Sequence, residues 1–352
     1  MRRRREGKSL ATKHLEDLWK RGKDFLGVRY ALLGGAMTWV SERNLVSAIS
    51  NAGGFGVIAS GAMSPDLLRT EIKATQALTK NPFGVNLITL HPQLLDLIDV
   101  CIEEKVTHVV LAGGLPPTQA ITHLKTSGVK VICFAPALII AKKLMKLDVD
   151  ALIIEGMEAG GHIGPVSTSV LVQEILPHVK EIPVFVAGGI GRGEAIVSYL
   201  EMGAAGCQLG THFVCATECI AHPEFKKAFL RAQARDAIIS PQLDSRFPVI
   251  PVRALANQAT KDFLAYQREL INQVDQDTLD LKEAQLKIEH FWAGALRRAV
   301  IEGDVENGSV MAGQSVGMVT SEQPTQSIID ELISQAETAL KSRTNQKASS
   351  VC

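Results

Sequence analysis

The sequence has few aromatic residues, no excess of either charge and no long apolar run. Phe, Trp and Tyr make up 5% of its 352 residues, and 37 Lys and Arg balance 37 Asp and Glu. A chain with balanced charge has no overall field that would attract a polyanion. Its apolar runs also fall well short of the roughly 20 residues that a membrane-spanning helix needs. Composition therefore predicts a soluble, cytoplasmic protein that binds neither nucleic acid nor membrane.

Cysteine is also scarce, and its spacing indicates neither disulfides nor metal. There is no CxxC pair among the six cysteines, which are Cys101, Cys133, Cys207, Cys215, Cys219 and Cys352. Most stand in apolar runs, where a free cysteine behaves as a small core residue, as is typical of a reducing compartment. Cys215 and Cys219 are one helical turn apart. No second Cys/His pair has ligand spacing, so we predict no metal site.

The one local charge asymmetry is MRRRREGK at residues 1–8. Such a run can serve as an arm for an anionic surface or a nucleic acid, or as a targeting segment. A single short run carries no mechanism, however, and it favours the interpretation of a solvated, disordered tail.

Between residues 30 and 211, short apolar runs alternate with helix-compatible segments that close on glycine. The runs are continuously apolar, as expected for parallel strands covered on both faces. They are YALLGG (30–35), FGVIAS (55–60), FGVNLI (83–88), THVVLAGG (107–114), VKVICFAP (129–136), DALIIEG (150–156), IPVFVAGG (182–189) and GCQLGT (206–211). Eight strand–helix units predict an α/β fold of the (β/α)8 TIM-barrel type.

The alternative fold is a doubly wound open sheet. It usually has fewer strands in such a span, and it would bind a dinucleotide at a glycine fingerprint. The stretch GGIGRG (188–193) does not fit G-x-G-x-x-G in any register, so we favour the barrel.

Beyond the eighth run the sequence is helical and more polar, which predicts a helical cap or insert over the barrel mouth. A glycine-rich stretch then leads into a final amphipathic helix over roughly 322–341. The predicted parts are a basic N-terminal extension (1–25), the barrel (26–217), a helical substrate or cap subdomain (218–300), a return segment (301–341) and a disordered tail (342–352).

Residues suited to ligand binding stand at the carboxyl ends of the predicted strands, where barrels carry their active sites. Loops after the last two strands commonly bind phosphate, because bare backbone N–H groups can converge there. Glycines could simply end strands, but that accounts poorly for so many glycine-bearing ends. We therefore predict a phosphate-bearing cofactor in the barrel mouth. The strand-end residues are Gly34-Gly35, Asn86, Gly113-Gly114, Glu155-Gly156, Gly188-Gly189 and Gly210-Thr211.

The stretch EGMEAGGHIG (155–164) holds four glycines and one histidine. Because the sequence has no GxSxG elbow and no nucleophile–base motif, the cofactor would supply the chemistry. His162 is then the candidate proton donor or acceptor, since imidazole titrates near neutrality. A buried structural histidine is the alternative, but a glycine loop above a strand favours function. We interpret His108, His123 and His178 as surface or satisfied core residues.

Several segments together resemble a known family. PFGVNLI, EGMEAGGHIG, VAGGIGRGE, GCQLGTHFVCATE with HPEFK, and NGSVMAGQ are similar to the FMN-dependent nitronate monooxygenase (2-nitropropane dioxygenase-like) superfamily, over about residues 26–335. Within it, EGMEAGGHIG and GDVENGSVMAGQSVGMV look most like the flavin-dependent type II enoyl-[acyl-carrier-protein] reductases. The resemblance implies FMN as cofactor and NADH or NADPH as co-substrate.

The resemblance also implies roles for single residues. His162 matches the catalytic histidine of the family. The residues implied to bind FMN are Gly35, Ala36 and Met37 against the ring, Asn86 at its polar edge, Glu155, Gly160 and Gly161 in the same pocket, Gly188, Gly189, Gln208, Gly210 and Thr211 around the phosphate, and Met311, Gly313 and Gln314 from the return segment.

Three functional hypotheses follow from this resemblance. The first is an NAD(P)H-dependent reductase of 2-enoyl thioesters in fatty-acid synthesis, acting on acyl carrier protein or coenzyme A substrates, with His162 protonating the α-carbon. Arg253 is then a candidate contact for a phosphate, or else a surface ion-pair residue. The second is a nitronate monooxygenase that uses dioxygen and no nicotinamide. The third is a flavin-binding regulatory protein without turnover. A homodimer is compatible with each hypothesis.

Overall fold

The computed structural model describes residues 9–246 and 251–349. The arginine run at 1–8, predicted to be a disordered tail, lies outside the described residues. The strands are β1 Leu32–Gly34, β2 Gly56–Ala59, β3 Phe83–Ile88, β4 His108–Ala112, β5 Lys130–Phe134, β6 Ala151–Glu155, β7 Gly161–His162, β8 Val184–Ala187, β9 Gly206–Leu209, β10 Ala237–Ile239 and β11 Val252–Leu255.

Helices follow the strands in alternation. They are α1 Leu10–Leu18, α2 Lys20–Leu26, α3 Arg43–Asn51, α4 Pro65–Leu78, α5 Leu94–Glu103, α6 Thr118–Thr126, α7 Leu138–Lys146, α8 Thr168–Ile175, α9 Gly193–Glu201, α10 Thr211–Val214, α11 Pro223–Arg231, α12 Gln258–Asp275, α13 Leu281–Arg297 and α14 Thr325–Ser349, with short 3-10 turns at Ala234–Asp236 and Gln314–Met318 and a π turn at Arg298–Glu302.

Eight parallel strands form a nearly closed barrel, which confirms the predicted fold. Their order is β1-β9-β8-β6-β5-β4-β3-β2. A parallel bridge between Leu33 and Phe55 brings β1 back to the start of β2. Each of the eight apolar runs contains one barrel strand. Their side chains fill a single core because parallel strands are buried on both faces.

Local signals in the sequence account for where helices begin. In α4, the Ser64 hydroxyl accepts a hydrogen bond from the Leu67 amide at 3.3 Å, and Pro65 occupies the first helical position. Proline is favoured there because its missing N–H has no intrahelical partner to lose. Leu68 and Ile72, one turn apart, are fully buried and attach the helix to the barrel.

The segment assigned to the basic extension contains two helices that cover the amino-terminal end of the barrel. Trp19 and Leu26 are buried. A β-carbon on Gly22 would collide with the Ala205 carbonyl, so α2 lies directly against the strand entering β9. The Phe25 carbonyl accepts hydrogen bonds from His108 at 3.0 Å and Lys130 at 2.7 Å. The charged residues at the surface of this segment obscure its apolar face in the sequence, so the pattern did not predict these two helices.

His108 begins β4 as a satisfied core residue, in agreement with its sequence interpretation. Its ring lies edge-on to Phe25 and Phe55, with centroids 5.2 and 5.0 Å away. Nε2 donates to the Phe25 carbonyl, which leaves Nδ1 to accept from the Thr107 hydroxyl at 2.8 Å. Burial lowers the pKa of His108 from 6.5 to about 4, because the charged ring would lose its hydration.

This histidine predicts an acid-sensitive fold. Between pH 6.5 and 4 the unfolded chain binds a proton that native His108 does not, so stability falls as pH decreases through that window. We expect urea unfolding to lose about 2 kcal/mol between roughly pH 7.5 and 5 from this residue alone. His108→Gln should remove that part of the slope, whereas His123→Gln, at an exposed position, should retain it. Equal slopes for wild type and His108→Gln would contradict the assignment.

The predicted cap contains more than helices. α12 and α13 enclose a second core with Phe263, Leu270, Ile288 and Trp292, in which the Phe263 and Trp292 rings lie 4.3 Å apart. The predicted cap region also supplies β10 and β11, which pair antiparallel with each other, and β11 pairs with β7 beside the barrel. The sequence pattern gave no sign of this three-stranded sheet.

The last helix, α14, runs to Ser349, eight residues beyond its predicted end at 341. The predicted disordered tail therefore starts as helix, and residues 350–352 lie outside the described part of the chain. Within the described ranges no helix is both long and apolar enough to cross a membrane.

Candidate functional site

The glycine loop after β6 is held against the cap by backbone pairing. β7 pairs antiparallel with β11, placing His162 opposite Val252 and Gly161 opposite Arg253. One residue further on, the Ile163 amide donates to the Pro251 carbonyl at 2.9 Å. His162 is exposed, which excludes the alternative of a buried structural histidine. Its imidazole is thus presented at the barrel mouth from a short strand that is fixed on one side.

The side chain of Arg253 also fixes this loop, through hydrogen bonds to backbone carbonyls. Its side chain is 3% exposed, Nε donates to the Met157 carbonyl at 2.9 Å, and Nη1 donates to the Ala237 carbonyl. The interpretation of Arg253 as a surface ion-pair residue is therefore wrong. Its guanidinium joins β10, β11 and the glycine loop, so its contacts are structural.

Glu158 orders the other end of the loop. One of its carboxylate oxygens accepts hydrogen bonds from both the amide and the hydroxyl of Thr168, each at 2.9 Å. A carboxylate at the first turn of α8 also complements the helix dipole. Gly156 is required beneath this contact, because a β-carbon there would collide with Thr168. Sequence analysis missed Glu158, although a carboxylate shortly before a helix start was the available signal.

The return segment packs against this loop through residues that the resemblance implies to bind FMN. The Gly313 amide donates to the Thr211 hydroxyl at 3.1 Å, and the Gln314 amide donates to the Glu158 carbonyl at 2.9 Å. A β-carbon on Gly160 would lie 2.6 Å from the Gly313 nitrogen. The structure therefore brings Gly160, Thr211, Gly313 and Gln314 into one cluster, which we call the loop–return contact.

Met311 connects the loop–return contact to the cap. It packs against both hydrophobic cores, and its sulfur lies 3.6 Å from where a β-carbon on Gly161 would be. Gly161 has a φ of +78°, a conformation that favours glycine. Cap, glycine loop and return segment thus meet at one edge of the mouth.

A second group forms where β1 and β9 end. The Gly35 amide donates to the Leu209 carbonyl at 2.8 Å, and the Ser41 hydroxyl donates to the Gly35 carbonyl at 2.9 Å. A β-carbon on Gly35 would lie 3.4 Å from the side-chain amide nitrogen of Gln208. A β-carbon on Gly210 would lie 3.3 Å from the Met37 sulfur. Neighbouring strand ends therefore place the predicted residues at 35–37, 208 and 210 together, with Ala36 half-buried between them.

Asn86 stands apart from that group. Its side chain is 6% exposed, and its amide donates to the Val110 carbonyl of the next strand at 3.1 Å. This hydrogen bond fixes the amide at the end of β3. Among the described residues, no hydrogen bond of the Asn86 side chain reaches another predicted binding residue.

Glu155, the last residue of β6, has a carboxyl group with an unusually high pKa. The side chain is half-buried, and no described residue provides it with a hydrogen bond or a cation. Desolvation raises its pKa from 4.5 to about 8, since the charged form would lose hydration without compensation. At neutral pH this group is a protonated acid and therefore a hydrogen-bond donor, which is a common property of functional sites.

The ends of β8 and β9 have the features of an anion site. Gly188 and Gly189 have φ of +98° and +70°. Within the described ranges, the backbone amides of Gly189, Gly210 and Thr211 donate to no other group of the protein. Amides of this kind can bind phosphate oxygens. This observation is consistent with the predicted phosphate-bearing cofactor. In the described ranges, His, Cys, Asp and Glu form no group of three or more that could hold a metal ion.

Two further residues near the mouth were not found from sequence. Trp39, in the loop after β1, has a φ of +66°, which is strained for a bulky side chain. The guanidinium of Arg297, from the cap, lies 5.9 Å from the Trp39 ring centroid, within range of a cation–π interaction. His212 follows Thr211, and its Nδ1 is buried without a partner among described residues. Burial lowers the pKa of His212.

Gly160→Ala tests the loop–return contact. The added methyl would lie 2.6 Å from backbone atoms of both Ala312 and Gly313, so the return segment must move. We expect a loss of about 1–3 kcal/mol in unfolding free energy and weaker flavin retention. Gly294→Ala is the matched control, because nothing lies within 4 Å of its β-carbon in α13, and it should stabilise the chain slightly. Thermal unfolding and equilibrium dialysis with FMN measure both. Equal stability and equal FMN affinity for the two variants would contradict the role of this contact.

Comparisons with known proteins agree with this geometry. A family model described as nitronate monooxygenase matches residues 20–335. The structure of FabK from Thermotoga maritima superposes with a TM-score of 0.83 and 36% sequence identity, covering 93% of this chain and 98% of that one. A Rhodococcus jostii (strain RHA1) protein, (3aS,4S,5R,7aS)-5-hydroxy-7a-methyl-1-oxo-octahydro-1H-indene-4-carboxyl-CoA dehydrogenase, is 30% identical over 339 residues, 89% of this chain and 94% of its own length. A nitronate monooxygenase from Paraburkholderia phytofirmans is 27% identical over 363 residues, 90% and 93% of the two chains.

Proposed function

The chain belongs to the nitronate monooxygenase family of oxidoreductases, and from that premise we propose that it is an FMN-dependent, NAD(P)H-consuming reductase of 2-enoyl thioesters. The observation that carries the choice of substrate is the 36% identity to FabK, a type II enoyl-acyl-carrier-protein reductase, across 93% of the chain. The relative from Rhodococcus, named as acting on a CoA thioester, supports the same substrate class.

The site offers the groups that such a reaction requires. Bound FMN would supply hydride transfer from the nicotinamide to the β-carbon of the enoyl group. The unpaired amides at Gly189, Gly210 and Thr211 would hold its phosphate. His162, exposed at the mouth and fixed by its pairing with Val252, would deliver the proton to the α-carbon. Protonated Glu155, at the end of β6, would donate a hydrogen bond inside the pocket.

An anaerobic titration tests this proposal. NADH or NADPH added to the flavin-loaded protein should bleach the visible absorption of the flavin within seconds, and crotonyl-CoA should then restore it. Bleaching by neither nicotinamide would refute the reductase, whatever the later steps.

Nitronate monooxygenation remains the second candidate, favoured by the description of the matching family model. The same experiment separates the two functions, because a monooxygenase would be bleached by propyl nitronate and not by a nicotinamide. Recovery on adding dioxygen, rather than crotonyl-CoA, would complete that outcome.

A further inference from the structure

Three large apolar side chains are exposed on one side of the barrel mouth. Leu90, Leu115 and Ile139 are 81%, 41% and 76% exposed. Each comes shortly after the carboxyl end of a strand, and those strands, β3, β4 and β5, are neighbours in the sheet. We call these residues the apolar rim. Leu90 and Leu115 lie in loops, whereas Ile139 lies in the first turn of α7. Exposed apolar side chains that are scattered singly need no explanation, but three that follow adjacent strand ends do.

The segments that carry the apolar rim have no formal charge. They read ITLHPQ (88–93), AGGLPPTQ (112–119) and FAPALII (134–140), the last two running into the starts of α6 and α7, in a chain that is 21% charged. Lys142 and Lys143 follow Ile139 by one helical turn on α7, so cations border this surface. The uncharged segments themselves suit the apolar part of a ligand.

The rim is continuous with the glycine loop of the candidate site. A β-carbon on Gly113 would lie 3.2 Å from Ile88, which links the loops after β4 and β3. On the other side, Gly164 lies two residues after His162, and a β-carbon there would be 3.9 Å from Pro136 in the loop after β5. The segment after β5 therefore adjoins the glycine loop that carries His162, and the ends of β3 and β4 adjoin each other.

The segments that cover the mouth attach elsewhere. β11 of the cap pairs with β7, the return segment bonds Glu158 and Thr211, and Arg297 lies over Trp39. These contacts occupy the loops after β1, β6 and β9. Leu90, Leu115 and Ile139, which follow β3, β4 and β5, stay exposed to solvent.

We propose that the apolar rim binds the hydrocarbon part of the thioester substrate and sets the preference for chain length. The inference rests on the proposed function, since that function supplies a ligand with a reactive carbonyl near His162 and an apolar chain leading away from it. A second copy of the protein is the competing occupant of such a surface, and the experiment below distinguishes it.

The test uses the triple variant Leu90→Ser, Leu115→Ser, Ile139→Ser in the flavin-loaded protein. Calorimetry would measure binding of butyryl-CoA and dodecanoyl-CoA, which are saturated and do not react. We expect dodecanoyl-CoA to bind at least about tenfold more weakly to the variant, because apolar burial is lost, while butyryl-CoA changes by less than about twofold. The control is Leu78→Ser, Met202→Ser, two exposed residues at the carboxyl ends of α4 and α9, shortly before β3 and β9 begin and so away from the mouth, and it should bind both thioesters normally.

Three outcomes would overturn the proposal. The first is that dodecanoyl-CoA binds the triple variant as tightly as wild type, and the second is that both thioesters lose affinity equally. The third is that light scattering shows a changed oligomeric state while the dependence of affinity on chain length is intact. That last result would assign the rim to contact between copies of the protein. Failure of the proposed function looks different. If the protein binds dodecanoyl-CoA through the rim but reduces no enoyl thioester, the proposed apolar site is supported and the proposed reductase activity is refuted.

Discussion

His162→Ala should slow thioester reduction by about 10²- to 10⁴-fold, which is the usual contribution of a positioned general acid. Flavin reduction by NADPH should stay within about threefold of wild type, since that half-reaction needs no proton at the α-carbon. The side chain is exposed at the mouth on the two-residue strand β7, so its removal creates no cavity in the core. Stopped-flow measurement of the two half-reactions separates these rates directly.

The control for this prediction is His178→Ala, an exposed histidine between the end of α8 and the start of β8. It should retain both half-reactions. If His162→Ala slowed both half-reactions equally, the histidine would be positioning the cofactor or the loop rather than transferring a proton. Retention of full thioester reduction would remove His162 from the mechanism altogether.

Much of the barrel could be predicted from sequence because its signal is local. FGVNLI, VVLA and ALII are continuous apolar runs that only a strand buried on both faces explains well, and they form all or nearly all of β3, β4 and β6. The glycine-bearing strand ends also follow from the architecture, because the mouth of a barrel is where parallel strands end together. The clusters around Gly35 and Thr211 were predictable for that reason.

The pairing that fixes His162 could not be predicted in the same way. β7 consists of Gly161 and His162, which form no apolar pattern, and its partner β11 follows about ninety residues later. Arg253 carries a charge, and its sequence context favours either a phosphate contact or a surface ion pair, although backbone carbonyls satisfy it in the interior. Long-range pairing and buried polar partners leave little trace in a single sequence.

The meaning of the glycines in EGMEAGGHIG also depends on the fold. The resemblance implies that Gly160 and Gly161 line the FMN pocket. Gly156 and Gly160 instead lie against Thr168 and the return segment, where a β-carbon would collide with the protein itself. Gly161 differs, because its left-handed backbone turns the chain into β7. Glycines in this loop are therefore required first by packing within the protein. Close approach of a cofactor to the loop stays a prediction.

Glu155→Gln should stabilise the protein without bound flavin at alkaline pH. The folded pKa of Glu155 is raised to about 8 from 4.5, so the native state keeps a proton that the unfolded chain loses. Between these values stability falls as pH rises, which is the opposite sign to His108. The full shift corresponds to nearly 5 kcal/mol, but the side chain is open in part to the mouth, and solvent there reduces the cost. We therefore expect Glu155→Gln to gain about 3 kcal/mol at pH 8.5 and almost nothing at pH 4.5.

The same carboxyl should control flavin binding. A neutral acid can donate a hydrogen bond inside the pocket, whereas the carboxylate formed above pH 8 would repel the phosphate and the reduced ring. Wild-type FMN affinity should therefore fall by up to about tenfold per pH unit above 8, and that of Glu155→Gln should stay level. Fluorescence titration of the flavin-free protein from pH 6 to 9.5 measures this, with Glu158→Gln as a control carboxylate that serves Thr168 instead. Parallel pH profiles for wild type and Glu155→Gln would show that the proton on Glu155 has no part in binding. Divergent profiles would show that FMN binding depends on the proton of Glu155. The protein would then retain an acid that destabilises its fold at the end of β6 because the cofactor requires one there.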